Sequence, residues 1–490
     1  MSKLISSYFS EFKVLNGVSR DFWLTNAVYF VDCLAYFSMI TPLTLYLTTN
    51  CGFNDVDSGA WVGIFTLFIT AFVFAVGSIC DVINIRKSLF IGAGALLVSR
   101  LLLALAPTQD WLKGTSLSSL THTILPFLPA DTFTDTDLKL TVKLLLLMMA
   151  FGTAFMSPVL MTSLRRFTSR ANRATGFNVN YLIVNIAAII AGAGVIDGLR
   201  RGMGEFYGNL AIFGFGMLMA ALSLGFTYFI KEENYGEEDE RITASESSRR
   251  PLAVFMEVWR ESAFRKLLLF LVLTIGVRLV FTHQFLVMPK YYTRVLTSDF
   301  ELGLANAINP LIIVIGLILI IPVINRFATV KLVIIGMAIS ASSLLFMAVP
   351  LQWILRLPFI DTVTQAYFFI IVAQILVFAF GELIFSPRFT EYTASVAPKD
   401  KVSSYMALSA LPAFISKPIN GFASGILISM YCYDGIKPKI ETGNIGYWQS
   451  PEFMWLIYLI LAVMSPVAVI ALRNFITSKS TPVAKEGGAP

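Results

Sequence analysis

Twelve apolar stretches, each about 20 residues or longer and nearly free of charge, follow one another along the chain and leave little room for a fold that faces water. They lie near residues 22–47, 60–80, 88–106, 138–163, 175–198, 208–230, 267–289, 304–324, 332–350, 364–394, 403–430 and 452–472. A stretch of this length crosses the hydrocarbon of a bilayer as a helix, which satisfies its own backbone hydrogen bonds where no water can. A transmembrane barrel would need polar residues at every second position, and these runs are continuous. Composition agrees: 14% of the 490 residues are charged and 56% hydrophobic, where soluble domains carry about a quarter charged residues. The expectation is an all-α polytopic membrane protein with twelve transmembrane helices, in a plasma membrane or a bacterial inner membrane.

The first 21 residues read as a short polar leader without a signal-peptide cleavage pattern. An even number of spans puts both termini on one side, and the basic residues say which. Of 37 Lys and Arg, 24 fall on the side of the termini, 9 on the opposite side and 4 within spans, so both termini are expected to be cytoplasmic. The net charge of +6 follows from this asymmetry, and no nucleic-acid partner is needed to explain it. The polar stretch 231–266 divides the chain into an N-terminal half, 1–230, and a C-terminal half, 267–490. Its last part spaces Phe255, Met256, Trp259 and Phe264 so that it could lie along the membrane surface. Residues 107–137 form the longest loop on the non-cytoplasmic side. Cys33, Cys51, Cys80 and Cys432 lack metal-ligand spacing; the most they offer is a disulfide between Cys51 and Cys432.

Two six-span halves joined by a cytoplasmic linker fit the duplicated design in which halves rock about a midplane site. After the second span the sequence GSICDVINIRK carries Gly77, Asp81, Arg86 and Lys87, and PVINRFATVK after the eighth echoes it with Asn325 and Lys331. The first resembles the loop signature of the major facilitator superfamily, with Asn84 in place of its second glycine; Asn is the next residue that tolerates a left-handed turn. Further likenesses are to the proton-dependent oligopeptide transporter family: GELIFSPRFTEYTASVAP in the tenth span, FGTAFMSP ending at Pro158, Tyr181 and Asn185 in the fifth, Gln284 in the seventh, and Asn309-Pro310 in the eighth. The resemblance implies a peptide-type cargo and proton coupling, with Glu382 receiving the cargo's amino group. The departures fall on charges. YFVDC stands where the family carries Glu-x-x-Glu-Arg, keeping Asp32 and losing the arginine, and Ile40 replaces a second arginine. Ser157 replaces the fourth-span lysine, and His283 the seventh-span acid.

A charge at the bilayer centre costs about 2.5–3.5 kcal/mol even on insertion scales, so each one needs a reason. Counted at 1.5 Å per residue from the cytoplasmic ends, Asp32, Arg100, Arg278, Glu382 and Lys417 fall roughly 15–21 Å deep, with His283 somewhat further. They are expected to share one polar layer. Glu382 is the first candidate for a cargo or proton site, with Lys417 as its partner in place of the missing fourth-span lysine. Asp32 could bind a cation, carry a proton or pair with Arg100. Arg278 offers a bidentate fork to a carboxylate or phosphate. His283 could relay protons or pack between helices. Tyr181, Asn185, Gln284 and Asn309 would add neutral hydrogen bonds to cargo or between helices. Asp32, Arg278, Glu382 and Lys417 sum to zero, compatible with a zwitterion, or with an organic anion if both acids are protonated.

The expected function is a secondary active transporter of a small organic solute, working by alternating access with protons as the coupled ion. The sequence contains no nucleotide-binding glycine loop. The alternatives are a receptor or sensor on the same fold, inactive in transport, or a transporter of a non-peptide organic anion or zwitterion. With two histidines and no metal spacing, neither an enzyme, a metal nor a cofactor is expected. A monomer in the lipid bilayer, taking a small-molecule substrate and protons, completes the reading.

Overall fold

A computed structural model describes residues 15–115, 136–169, 172–232, 262–297, 300–319, 327–396 and 411–477. Helices make up the regular structure of these residues, without a strand. The first half supplies α1 (Arg20–Ile40), α2 (Asp55–Ile83), α3 (Ile85–Leu105), α4 (Asp137–Arg166), α5 (Arg173–Ile189) and α6 (Asp197–Tyr228). The second supplies α7 (Ser262–Leu273), α8 (Ile275–Leu286), α9 (Met288–Val295), α10 (Leu302–Leu319), α11 (Thr329–Ser342), α12 (Val363–Val396), α13 (Leu411–Tyr431) and α14 (Pro451–Ala471). Among the described residues, nine helices are long and apolar enough to cross a membrane.

Polar residues at the run edges start these helices. Ser19, Asn54 and Thr136 accept hydrogen bonds from the backbone N–H three residues on, at the heads of α1, α2 and α4. Between α2 and α3, Asn84 takes φ +78°, the positive value that its place in the turn signature calls for. Two apolar runs differ from expectation. The fifth and sixth join in one helical run of 54 residues, Thr175–Tyr228, which turns at Gly204 with φ +75°. The seventh breaks into α7, α8 and α9 at Thr274 and Val287; Thr274 turns its hydroxyl back to the Leu271 carbonyl at 2.7 Å. It also begins at Ser262, inside the expected linker, and Phe264 is buried against the core of α11 and α12 instead of lying on a membrane surface. The rest of that amphipathic segment lies outside the described residues, as do the middle of the 107–137 loop and the side chains of Gly77 and Asp81.

Small residues let the two stretches of chain approach closely. α2 lies against α13 through Gly59 and Gly63 facing Gly421 and Gly425. The π-helical stretch Ile190–Ile196 that continues α5 meets α10 at Gly192 and Gly303, where a Cβ built on Gly303 would fall 2.0 Å from the Gly192 carbonyl oxygen. Polar links gather at the same end of the molecule. Asp55 accepts from Lys290 Nζ and Arg294 Nη2, both at 2.8 Å, and Arg294 Nε also reaches Asp434 at 2.8 Å. Asp197 accepts from the backbone N–H groups of Gly303 (2.8 Å) and Leu304 (2.6 Å), capping α10 from a distant part of the chain. Arg201 pairs with Glu301 beside it. Cys51 and Cys432 are both free thiols, so the one disulfide the spacing left open is not formed; each is buried in the apolar core, and the Cys432 carbonyl is taken by Arg294.

Candidate functional site

A cavity of about 270 Å³ lies between α1, α5, α8, α10, α12 and α13. On α8, Arg278, Phe281, Thr282 and Phe285 line it at intervals of three and four, a helical stripe. Glu382 comes from α12, Lys417 from α13, Asn306 and Asn309 from α10, and Tyr181 and Asn185 from α5. Gly192 and Ile196 also line it, next to the Asp197 that accepts from Gly303 and Leu304.

Among the described residues, three charged side chains reach this space. Glu382 accepts from Asn309 Nδ2 at 2.9 Å and attracts Arg278 without forming an ion pair with it. Because a carboxylate only accepts, this bond fixes the Asn309 amide and leaves its Oδ1 buried without a donor. The Arg278 guanidinium sits 5.0, 4.9 and 4.8 Å from the ring centroids of Phe281, Phe385 and Phe389. Each contact stabilises a desolvated cation by up to about 2 kcal/mol, which is how a charge persists here without a carboxylate against it. The Arg278 Nε is buried and has no acceptor. Lys417 Nζ donates to the Tyr36 hydroxyl at 3.3 Å and lies over that ring.

The structure therefore corrects the expected pairing of Lys417 with Glu382: the ammonium turns across the cavity to α1, and the carboxylate is held by α10. Asp32 is not in the cavity; it meets the buried Arg100 of α3 at 3.8 Å, one of the three roles open to it from sequence. Arg100 also donates to the Gly216 carbonyl of α6 at 3.3 Å, so the pair sits among α1, α3 and α6. His283 stands on the far side of α8, buried with its ring 4.0 Å from that of Tyr458 and 5.6 Å from that of Trp455. Gln284 lines the cavity but spends its amide on Gln374 at 3.3 Å, and Asn185 donates to the Tyr181 carbonyl at 2.8 Å. Of the loop signature, Arg86 stacks on Phe90 and Tyr228 and its backbone N–H meets Glu232, while Lys87 is exposed. The cavity charge is then two cations against one acid, not zero.

Sequence reasoning missed the phenylalanine cage and the Asp55 and Asp197 contacts. Phe385 and Phe389 stand four apart on α12, just past Glu382, a spacing visible in the sequence among many other phenylalanines.

The Major Facilitator Superfamily model matches residues 25–416. The chain belongs to the major facilitator superfamily. It is thus a multi-pass integral membrane protein of a transporter family. No curated protein matches it in sequence. Solved structures share the fold of this superfamily member at low identity. One is a POT family transporter in complex with 5-aminolevulinic acid, at 15% identity and a TM-score of 0.67, covering 94% of this chain and 97% of that one. A second is a bacterial homologue of the human drug peptide transporters PepT1 and PepT2, at 14% identity and a TM-score of 0.62, covering 93% and 99%. A third is a peptide transporter POT in complex with sulfate, at 15% identity and a TM-score of 0.63, covering 93% and 95%.

Proposed function

We propose that this superfamily member is a secondary active transporter that carries a small organic solute by alternating access and couples it to protons through Glu382. The observation that carries the reading is a cavity walled by helices of both halves, holding Glu382, Arg278 and Lys417 where a fixed charge is otherwise expensive. Glu382 has a hydrogen-bond partner for either protonation state: Asn309 Nδ2 donates to the carboxylate, and its unpartnered Oδ1 stands ready for a carboxylic acid O–H.

The same reading counts twelve crossings. The 54-residue run Thr175–Tyr228 supplies two, and α7–α9 and α10 supply one each beyond the other eight long helices. Residues 1–230 and 267–490 act as the rocking halves, 231–266 as a cytoplasmic linker, and both termini are cytoplasmic. In this reading the Asp55 end is the outer face, and its ion pairs and the Asp197 contacts hold that side closed. The protein works as a monomer.

Counterflow in proteoliposomes with di- and tripeptides, amino acids and organic acids, with and without a pH gradient, tests the reading. Uptake of at least one class that is driven by an inward proton gradient is expected. Exchange that ignores the gradient would remove the coupling to Glu382, and exchange of nothing would favour a receptor on the same fold.

A further inference from the structure

The charges of the cavity do not balance. Asp32 is committed to Arg100, and Asp55 to Lys290 and Arg294, so neither acid offsets the cavity cations. Among the described residues, Glu382 is the one acid that lines the cavity with Arg278 and Lys417. The three phenylalanines cover the surroundings of the guanidinium, and the Nε, buried without an acceptor, marks an unfilled hydrogen bond at its edge. A planar oxyanion is the group that satisfies such a fork. The Lys417 ammonium keeps donors to spare beyond its one bond to Tyr36.

Building on the transport reading, we propose that the cargo is a small organic monoanion whose carboxylate sits between Arg278 and Lys417, and that Glu382 is its proton-controlled competitor for Arg278. With Glu382 ionised, the cargo and the acid share the same cation and repel each other. With Glu382 protonated, its O–H turns to Asn309 Oδ1 and the whole field of Arg278 is free for the cargo. Proton and anion then favour each other's binding, and the preference is reciprocal. Other groups facing Glu382 do not replace it in this role: Tyr181 on α5 and Asn309 on α10 are neutral, Lys417 on α13 is a cation, and Ser340 of α11 lies behind the neighbouring Gly381. An amino group on the cargo is not required. One proton moving with one monoanion transfers no net charge.

Three probes of nearly one shape test this. N-propionyl-alanine is a monoanion, alanyl-alanine a zwitterion with an ammonium in place of one hydrogen, and alanyl-alaninamide a cation. Counterflow and thermal-shift titration of the intact reconstituted or purified protein are run at about pH 5 and about pH 7, between the carboxyl and α-amino pKa values, so that each probe keeps its charge. N-propionyl-alanine is expected to bind about tenfold tighter than alanyl-alanine, with alanyl-alaninamide weakest, and its affinity to rise as the pH falls. Glu382→Gln is expected to hold the anion's affinity at its acid-side value even at about pH 7. Equal or tighter binding of alanyl-alanine, or an anion affinity indifferent to pH in the wild type, would overturn the proposal while leaving transport standing. If none of the three exchanges or shifts unfolding, the transport reading falls with it.

Discussion

Gly303→Ala is a direct test of what holds the Asp55 end shut. Its added methyl would meet the Gly192 carbonyl oxygen at 2.0 Å and the carbonyl carbon at 2.6 Å, against a lower edge of ordinary contact of 3.4 Å. The deficit is about 1.4 Å, and both obstructing atoms are backbone, so no rotamer can relieve it. Overpacking of this kind costs about 1–3 kcal/mol. Taking about 2 kcal/mol, the closed arrangement loses roughly thirtyfold in population against one in which α10 and the π-helical stretch after α5 have separated. The separation can be read by pulsed electron-spin distances between labels at Asp110→Cys and Trp448→Cys, exposed positions at this end on opposite stretches of chain, in a background without native cysteines. The wild type should give one short distance and Gly303→Ala a second, longer one. A single unchanged distance in a variant that unfolds at the wild-type temperature would refute the claim that this contact limits opening.

Three other outcomes follow from the geometry. Asp55→Asn leaves Lys290 and Arg294, 4% and 9% exposed, without their shared carboxylate. It should cost about 3 kcal/mol of closed-state stability, read as a lower unfolding temperature in detergent and partly restored by Lys290→Met. Asp197→Ala removes the acceptor of two first-turn N–H groups of α10 and should destabilise by about 1–2 kcal/mol in the same assay. Arg278→Lys keeps the charge but loses the flat guanidinium packed among Phe281, Phe385 and Phe389; solute exchange should fall about tenfold with the unfolding temperature little changed.

Helix existence was legible because an apolar run long enough to span lipid has only one way to satisfy its backbone. What the runs hide is interruption. Residues 267–289 read as one span although Arg278, His283 and Gln284 lie within it; the break at Thr274 goes with its own hydroxyl bond to the Leu271 carbonyl, which hydropathy does not mark, whereas the break at Val287 precedes Pro289, a residue without an N–H that the sequence does display. A depth can be reckoned at a fixed rise per residue, but direction cannot, since each residue turns the helix by about 100°. Arg278 and His283 illustrate this: the stripe Arg278, Phe281, Thr282, Phe285 faces the cavity, and His283, next in sequence to Thr282, points away toward Trp455 and Tyr458. Asp32 and Lys417 were placed at comparable depth, yet one faces Arg100 across α1 and α3 while the other enters the cavity. The pairing of Glu382 depended on α10 bringing Asn309 beside it, a long-range relation with no trace in the spacing of either helix.

Asp197 has a consequence for biosynthesis. It lies 106 and 107 residues before the two amides it caps, so the acceptor leaves the ribosome well before α10 does. A chain assembled from its N-terminus has the carboxylate in place when the first turn of α10 emerges, and that turn, which lacks a serine, threonine or aspartate cap of its own at Glu301, is completed by docking on the earlier half. Asp197 thus ties completion of the first turn of α10 to an earlier stretch of chain, and synthesising the two stretches in reverse order would make α10 before its capping carboxylate.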